Sequence, residues 1–388
     1  RRYWAMPRDA ETRYPTRAQY VERFTELFEQ AVTDRLPDGP VALQLTGGMD
    51  STSIAAVAAP WARGRAQPVA GYHVSASSIE PQDDEEQFAR LVADHLGIPL
   101  VRQDLGAYPL FSRHADPELH TAFPLSYPQL ALHRDTVALI AQSGARVVLS
   151  GYSGDSAMSP RPDYYGDLIR RRRLAKAARE IGHHVRHVRS LRGLGLRTLA
   201  WPRPASPAWK PPMPHWIAHQ PLDLAERWTQ WWDKHETAVD AAGLLSLPWM
   251  HRQFEALEVF KQPVVARYPF HDVRLATFLA GLPGFMLAGK TVLREAMRGK
   301  LPEPVRTRPK TGAAGDFVRT MVTNGKVTGS AFRDVAGLPP QVDANLFRAA
   351  LENYCSGAGA ESTWASWLIL QPLAFGHWLS QQKEFIRE

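Results

Sequence analysis

The clearest indication of the fold is residues 41–51, VALQLTGGMDS. Residues 41–45 are a short apolar run of the kind that forms a buried strand. A glycine turn follows at 46–51, and the small and apolar residues from 52 to 59 predict a helix. A strand, a glycine turn and a helix in this order form the opening unit of a nucleotide-binding α/β domain.

Strands and helices alternate along the rest of the first half of the chain. An amphipathic helix is predicted at 17–35, where apolar residues recur at helical spacing: Tyr20, Phe24, Leu27, Phe28, Ala31 and Val32. Further strands are predicted at 69–74, 100–101 and 146–149, and further helices at 84–96 and 135–143. The alternation predicts an α/β fold, a parallel sheet with helices on both faces, whose functional site lies at the carboxyl ends of the strands.

The middle of the chain differs in composition. Residues 167–197 are rich in arginine, beginning with a run at 170–173, and apolar residues recur in helical steps at Leu174, Ala178, Ile181, Val185 and Val188. We interpret this as one or two basic amphipathic helices, whose cations either face solvent or dock a peptide or a partner. Proline and tryptophan are frequent at 201–221, which favours an irregular connection, and the remainder is predicted to be mainly helical.

These changes divide one domain into consecutive parts. A leading helix is expected within 1–40, and a nucleotide-binding core at 41–160. A basic helical and Pro/Trp-rich insertion follows at 161–235, and a helical part at 236–388. No internal repeat is apparent, so the chain is not a solenoid or a repeat array.

Composition narrows the classes of function. The 388 residues include 46 basic and 39 acidic side chains, and the net charge of +7 favours anionic ligands such as ATP without indicating nucleic acid. The only cysteine is Cys355, which excludes a disulfide framework and a cysteine-rich zinc site and fits a reducing, cytoplasmic setting. No apolar run is long enough to predict a membrane span.

The glycine turn at 46–51 carries the strongest chemical signal. Glycines let backbone N–H groups close around phosphate oxygens, and the following helix directs its positive end to the same place. Thr46 and Ser51 add hydroxyl donors, while Asp50 would repel phosphate unless a cation such as Mg²⁺ lies between them. The spacing is not that of a Walker A loop. The alternative is a tight turn in which Asp50 is a helix N-cap.

Two glycine turns carry a resemblance to known enzymes. Residues 46–51 resemble the Ser-Gly-Gly-x-Asp-Ser loop of ATP pyrophosphatases, which have the α/β fold of the adenine nucleotide alpha hydrolases, with threonine in the first position. Residues 150–155, SGYSGD, follow a predicted strand and resemble the Ser-Gly-Glu-Gly-x-Asp segment of asparagine synthetases. Taken alone, the second segment is equally typical of an ordinary Gly-Ser turn.

A further series of motifs is similar to that of asparagine synthetases, in the same order. It consists of RYPFHD at 267–272, GKTVLRE at 289–295, LP at 301–302 and RPK at 308–310. The family patterns are Arg-x-Pro-Phe-Leu-Asp, Lys-x-x-Leu-Arg, Leu-Pro and Arg-x-Lys. The chain departs from them at His271, where Leu is usual, at Ser156, where Glu is usual, and after 311–312, where no Phe follows. These departures bear on the substrate and leave the expectation of ATP use intact.

The resemblance implies a synthetase that adenylates a carboxylate with ATP and Mg²⁺. It implies Asp50 and Asp155 as metal ligands. The nucleotide-binding residues that it implies are Leu45, Thr46, Gly47, Gly48, Asp50, Ser51, His73, Val74, Ser150, Gly151 and Lys310. Lys290 is implied to be catalytic, since a fixed ammonium stabilises charge on pyrophosphate and then on a tetrahedral oxyanion. Spacing alone favours a solvated lysine at a helix end.

Tyr152 bears on the nucleophile. Asparagine synthetases usually have Glu at this position, whereas β-lactam synthetases have Tyr, which deprotonates the attacking amine together with a Glu. By resemblance, Glu255 or Glu258 could supply that carboxylate. Glutamine-dependent relatives begin with a glutaminase domain that has an N-terminal cysteine. The sequence lacks such a cysteine, so we expect that domain to be absent and the amine to belong to the substrate.

Residues 167–216 are similar to the corresponding segment of the macrolactam synthetases of lasso peptide pathways. That similarity implies a precursor peptide as substrate, ring closure between its N-terminal amine and an Asp or Glu side chain, and a separate leader-binding protein and leader peptidase. Two alternatives stay open. One is a β-lactam- or asparagine-type synthetase acting on a small molecule. The other is a non-catalytic peptide-binding scaffold, against which the combination of Asp50, Asp155 and Lys290 argues.

Overall fold

A parallel sheet forms the centre of the structure, a computed structural model that describes residues 11–121, 128–158, 164–170, 172–188, 214–217, 262–309, 317–324, 338–356 and 363–385. Its strands are β1 (Val41–Gln44), β2 (Val69–Ser75), β3 (Leu100–Asp104), β4 (Val147–Leu149) and β5 (Val265–Arg267). Their spatial order is β3-β2-β1-β4-β5, and every neighbouring pair is parallel. The predicted parallel α/β fold is confirmed.

Helices surround the sheet and continue beyond it. Those before β5 are α1 (Arg17–Thr33), α2 (Met49–Arg63), α3 (Glu85–Leu96), α4 (Leu130–Gln142), α5 (Gly154–Ala157), α6 (Tyr164–Arg170) and α7 (Leu174–Val188). Those after β5 are α8 (Val273–Gly281), α9 (Gly284–Leu287), α10 (Thr291–Ala296), α11 (Glu303–Thr307), α12 (Phe317–Thr323), α13 (Ala344–Cys355) and α14 (Thr363–Phe385). Among these described helices, none is long and apolar enough to cross a membrane.

Alternate residues of β1 serve two different cores. Val41 and Leu43 belong to a large cluster that includes buried side chains of α1, α2 and α3. Ala42 points to the other face, where it joins Val137 and Ile140 of α4. Because neighbouring side chains of a strand point to opposite faces, helices must cover both sides of the sheet.

Helix α1 matches the predicted amphipathic pattern. A capping box begins it, in which the Thr16 hydroxyl accepts a hydrogen bond from the Gln19 N–H and the Gln19 side chain accepts one from the Thr16 N–H. The six predicted apolar residues are all buried: Tyr20, Phe24, Leu27, Phe28, Ala31 and Val32. This face packs against α2, α8 and α10. The leading helix therefore supports α10, the helix that follows Lys290.

The second half of the chain differs from its prediction at β5. Strand β5 pairs with β4, with Val265 opposite Val147. Its three residues are too few to show a periodic pattern, so the sequence, which predicted a mainly helical second half, indicated no strand there. The other described elements after residue 262 are helical. Helices α12, α13 and α14 share a second core with the segments after β2 and β3, through Ile79, Leu105, Leu110 and Phe111.

Helix α7 forms as predicted, but its apolar stripe is not its buried face. Leu174 is 60% exposed and Val185 is 37% exposed. The buried side includes Glu180 and His184 instead. Glu180 pairs with Arg13, and the Nδ1 atom of His184 lies 3.4 Å from the hydroxyl of Tyr165. Tertiary packing has therefore buried a side of this helix that includes polar groups, each of which has a partner there.

Asp272 joins β5 to helix α8 and carries a testable contribution to stability. Its carboxylate accepts hydrogen bonds from the N–H groups of Arg274 and Leu275 and pairs with the guanidinium groups of Arg35, at 2.9 Å, and Arg274, at 2.7 Å. Burial by itself would raise the pKa of Asp272, but the hydrogen bonds from Arg274 and Arg35 hold it well below its ordinary value.

We expect Asp272→Asn to lower the stability of the protein by about 1–3 kcal/mol at pH 7. A depressed folded-state pKa stabilises the protein above the unfolded value of about 4, and this contribution is lost as the pH falls below it. The urea midpoint of Asp272→Asn should lie below that of wild type at pH 7, and the difference between the two midpoints should be smaller at pH 3. Asp94→Asn, on the exposed side of α3, is the control. Identical midpoints for both variants at pH 7 would contradict the prediction.

Candidate active site

The two predicted glycine turns lie side by side at the centre of the sheet. Strands β1 and β4 are neighbours, with β2 and β3 on one side and β5 on the other. The chain therefore leaves the ends of β1 and β4 in opposite directions. In parallel α/β sheets, such a switch point opens a crevice at the carboxyl ends of the strands, where ligands bind. Residues 46–48 follow β1 and residues 150–153 follow β4, so both turns border this crevice.

The turn after β1 is built around a glycine that no other residue can replace without movement. Gly47 has φ +74°, and a Cβ there would lie 2.3 Å from the backbone oxygen of Glu85. The Ser51 hydroxyl accepts a hydrogen bond from the Thr46 N–H at 3.1 Å and lies 3.0 Å from the Thr46 hydroxyl. These contacts close the turn, so the threonine at the first position keeps a structural hydroxyl.

Helix α2 begins without a side-chain cap. Its N-cap is Gly48, whose position offers no side chain for capping, and Asp50 lies inside the first turn. The alternative interpretation of Asp50 as an N-cap is therefore wrong. Its carboxylate instead contacts Lys290.

Lys290 joins three distant segments of the chain. Its ammonium nitrogen lies 2.6 Å from Asp50 Oδ2 and 2.6 Å from Asp155 Oδ1. The Lys290 side chain is only 13% exposed, so it is not the solvated lysine that its spacing alone favours. Its backbone is left-handed, with φ +57° and ψ +37°. For a residue with a Cβ this conformation costs on the order of 1–3 kcal/mol, and such strain concentrates at functional sites.

The pair of carboxylates fits the magnesium ion predicted from the sequence. Asp50 and Asp155 both lie against one cationic nitrogen, which brings two hard oxygen ligands to the same point of the crevice. Mg²⁺ binds through one or two carboxylates and completes its shell with water and phosphate oxygens. Among the described residues there is no cluster of three or more His, Cys, Asp or Glu side chains that could hold a metal by itself.

A cavity of about 730 Å³ occupies the crevice. The predicted site residues that line it are Thr46, Gly48, Asp50, Ser51, Ser150, Gly151, Tyr152, Asp155 and Lys290. The walls also carry charged residues for which the sequence indicated no role: Arg17, Glu85, Arg294, Glu295, Arg306 and Arg308. A cavity of this size accommodates a nucleotide-sized ligand.

Other predicted binding residues lie beside this cavity or outside the described structure. Leu45, Gly47, His73 and Val74 do not belong to the described lining. His73 is buried, with Nδ1 2.8 Å from the carbonyl oxygen of Leu45, and burial lowers its pKa. A neutral His73 that donates to Leu45 thus ties β2 to the end of β1. Lys310, Glu255 and Glu258 lie outside the described residues.

Tyr152 lines the cavity on the β4 side. Its side chain is 39% exposed, and its ring meets that of Tyr268 edge-on at 6.3 Å. Desolvation raises its pKa above the ordinary value of a tyrosine. The phenol is therefore protonated at neutral pH, and it needs a basic partner before it can accept a proton from a substrate.

His271 contacts the turn that follows β4. Its Nε2 atom lies 2.8 Å from the hydroxyl of Ser153, a residue with a left-handed φ of +67°. A leucine, which is usual at this position in the resembled family, could not make this bond. The departure from the family pattern at His271 therefore has a structural consequence: it anchors the segment between Tyr152 and Asp155.

Two charged residues of the cavity could have been found from the sequence. Glu85 begins α3, and burial together with nearby Asp83 raises its pKa to about 6. The sequence signal for Glu85 was the acidic run at 83–86, which lies at the start of a predicted helix. Arg308 pairs with Asp84, lies 3.4 Å from the carbonyl oxygen of Gly47, and stacks over Phe88 at 4.2 Å. It belonged to the ordered motif series, which indicated the residue without its role.

The turns after β1 and β4 approach each other closely at Gly154. A Cβ at this position would lie 2.4 Å from Asp50 Cγ. We expect Gly154→Ala to displace the Asp50 carboxylate and to lower the ATP turnover implied by the sequence by about tenfold to hundredfold. Gly182→Ala is a matched control, because a Cβ there meets nothing within 4 Å. Equal turnover of the two variants, measured as AMP formation, would contradict this geometry.

Comparison with known proteins agrees with the arrangement of these motifs. A family model described as asparagine synthase matches residues 23–380. A search of curated proteins found no match. The matched region contains β1 to β5 and every element that lines the cavity except the first residues of α1. The chain therefore belongs to the asparagine synthase family, which places it among the ATP-dependent amide-forming enzymes.

Proposed function

We propose that the protein forms an amide bond within a peptide, by adenylating a side-chain carboxylate and joining it to the peptide's own N-terminal amine. This is the ring closure of a lasso-type macrolactam, with release of AMP and pyrophosphate. One observation carries the catalytic part of the proposal: the Lys290 ammonium lies 2.6 Å from both Asp50 and Asp155 at the carboxyl ends of β1 and β4.

The first half-reaction needs charge stabilisation more than proton transfer. The substrate carboxylate attacks the α-phosphorus of ATP, a new C–O–P linkage forms, and pyrophosphate leaves with the electrons of the broken P–O bond. The turn at 46–51 offers backbone N–H groups and the start of α2 to the phosphates. Mg²⁺ held by Asp50 and Asp155 would neutralise phosphate charge. Lys290, already held at those carboxylates, would meet the charge that grows on the leaving pyrophosphate.

The second half-reaction needs a base. The amine attacks the activated carbonyl, a tetrahedral oxyanion forms, and AMP leaves as the amide closes. An ammonium must first lose a proton, and Tyr152 faces the cavity where this happens. Because its pKa is raised, Tyr152 would pass the proton on to a carboxylate, for which Glu255 and Glu258 are the candidates outside the described residues. The oxyanion would again be stabilised by Lys290.

A peptide substrate is favoured by helix α7. Arg172 and Arg173, which precede this helix, and Arg179 and Arg186, which lie on it, are exposed. Phe285 of α9, the helix that precedes the Gly289–Lys290 turn, packs on His183 and His184 of α7 at 5.4 and 6.2 Å. The basic helix thus adjoins the structural support of the candidate catalytic lysine. A cationic face at this place fits a peptide or carrier with acidic residues.

The reaction itself tests the proposal. Incubation of a candidate precursor peptide with protein, ATP and Mg²⁺ should yield AMP, pyrophosphate and a peptide lighter by one water, measured by mass spectrometry. Lys290→Met should still bind ATP and peptide while its turnover falls by about a hundredfold or more, because charge that develops only in the transition state loses its partner. Lys290→Arg should not restore turnover, since a planar fork replaces a compact charge poorly.

Matched variants separate the possible outcomes. Lys300→Met, at a lysine that pairs with Glu29 on α1, should behave as wild type. Normal turnover by Lys290→Met would contradict the assigned centre. AMP formed with a small amino acid and with no peptide would instead favour a β-lactam- or asparagine-type synthetase. Peptide binding without any pyrophosphate release would favour the non-catalytic scaffold.

The two exposed arginines that precede α7 give a separate prediction. Replacing Arg172 and Arg173 with Ser should raise the apparent KM for the peptide by about three- to tenfold and leave that for ATP unchanged, because exposed charge pairs contribute up to about 1 kcal/mol each. The effect should weaken at high salt. Arg23→Ser with Arg90→Ser removes the same charge from exposed positions on α1 and α3 and is the control. A peptide KM that is the same for both pairs would mean that Arg172 and Arg173 only face solvent.

A further inference from the structure

We infer that Arg294 is a positioning residue for Lys290: its guanidinium holds the backbone that carries the lysine in a strained conformation. The inference rests on the proposed function, in which Lys290 is the catalytic cation. It concerns Gly289, Lys290 and Arg294, and the segment at 306–308.

The Arg294 side chain is committed to backbone carbonyls. Its Nε donates a hydrogen bond to the carbonyl oxygen of Gly289 at 2.8 Å, and one Nη donates to that of Arg308 at 2.7 Å. The other Nη donates to the carbonyl oxygen of Arg306. All three nitrogens of the planar fork are therefore used, and they tie the turn before α10 to the end of α11.

The carbonyl that Arg294 holds belongs to the peptide bond immediately before Lys290. Gly289 and Lys290 are both left-handed, with φ +59° and +57°. Two such residues in succession are unfavourable, and the second carries a Cβ, which adds roughly 1–2 kcal/mol. Without an outside anchor the peptide would relax, and the ammonium would move away from Asp50 and Asp155. The hydrogen bond to Gly289 supplies that anchor.

Charge balance supports a positioning role over an ordinary ion pair. Among the described residues, Arg294 has no carboxylate partner within ion-pair distance, although it is flanked by Arg306. Burial, followed by the nearby Arg306, lowers its pKa, yet a guanidinium remains charged. The side chain is half-buried, and its guanidinium is stabilised by the three carbonyl dipoles and by the more distant charge of Asp50, which raises its pKa. The side chain thereby holds these three carbonyl groups in place.

The Arg294 side chain is also linked, through Arg308, to the turn at 46–51. The backbone of Arg308 accepts a hydrogen bond from Arg294, while the side chain of Arg308 reaches the carbonyl oxygen of Gly47 and pairs with Asp84. Arg294 thus lies between the turn at 46–51 and Lys290. A lysine in its place keeps the charge but has one nitrogen, which cannot reach three carbonyls in a fixed plane.

Steady-state kinetics of AMP formation tests the role. Arg294→Lys should lower kcat by about tenfold to hundredfold while the KM for ATP changes by less than about threefold, because the misplaced ammonium matters only in the transition state. Arg298→Lys is the matched control: it lies in the same region, is exposed and pairs with Glu295. Placed in Lys290→Met, the Arg294→Lys change should reduce kcat by less than a further factor of about three, since its effect acts through Lys290.

Each other outcome overturns the inference. An unchanged kcat means that Arg294 does not position Lys290, and a raised KM for ATP with normal kcat means that it contacts the ligand instead. Losses that multiply in the double variant mean that it acts independently of Lys290. Normal turnover by Lys290→Met overturns the proposed centre as well, whereas an inactive Lys290→Met with a fully active Arg294→Lys overturns this inference alone.

A second variant covers the case in which Arg294→Lys does not fold. Gly289→Ala meets no atom within 4 Å, so it disfavours the left-handed turn without a clash. It should lower kcat by about fivefold at an unchanged KM for ATP, with a thermal unfolding profile close to wild type. An unchanged kcat in Gly289→Ala would show that the strained turn does not control the position of Lys290, and would overturn the inference.

Discussion

The contact between one ammonium and two carboxylates organises the site of this protein. Lys290 lies 2.6 Å from Asp50, which follows β1, and 2.6 Å from Asp155, which follows β4. Two acidic side chains at one point of a crevice repel each other, so they need a cation between them. In the structure Lys290 supplies it. The same residues can share a metal ion and a phosphate, and for this reason the contact also defines the nucleotide end of the crevice.

Several features of the fold help to bring these three residues together. The order β3-β2-β1-β4-β5 makes β1 and β4 neighbours although about a hundred residues separate them in the chain. Helix α1 packs against α10 and so fixes the element that begins at Lys290. Helix α9 links α10 to the basic helix α7 through Phe285. Helices α1, α7 and α9 therefore support the segment that carries Lys290.

Two residues with strained backbones border the same site. Ser153 and Lys290 have left-handed backbones, and Gly47 and Gly154 allow approaches that a Cβ would block. Strain of this kind persists only where surrounding contacts over-determine it. Here those contacts are visible: His271 holds Ser153, and Arg294 holds the peptide bond before Lys290. His271 reaches a residue that is 118 positions away, whereas Arg294 contacts carbonyl oxygens at most 14 positions away.

The sequence by itself determined the fold class and the chemistry of the turns. Residues 41–51, the alternation of strands and helices, and the ordered motifs predicted a parallel α/β sheet and the carboxyl ends where Asp50 and Asp155 lie. These features are local, and local patterns of apolar and glycine residues encode them. Strand β5 was missed because three edge residues show no periodicity. The buried face of α7 was not predictable either, because the partners of Glu180 and His184 are far away in the chain.

Only the tertiary structure decided which charged residues share the cavity and what each one contacts. Lys290 and Asp50 are 240 positions apart, and nothing in their local sequence shows that they meet. Glu85, Arg294 and Arg308 lie in an acidic run or in the ordered motifs, which indicated no role for them, and packing turns them toward the same cavity. The physical reason is that charge interactions depend on distance in space, which strand order and helix packing set, whereas a pattern in sequence reports only on neighbours along the chain.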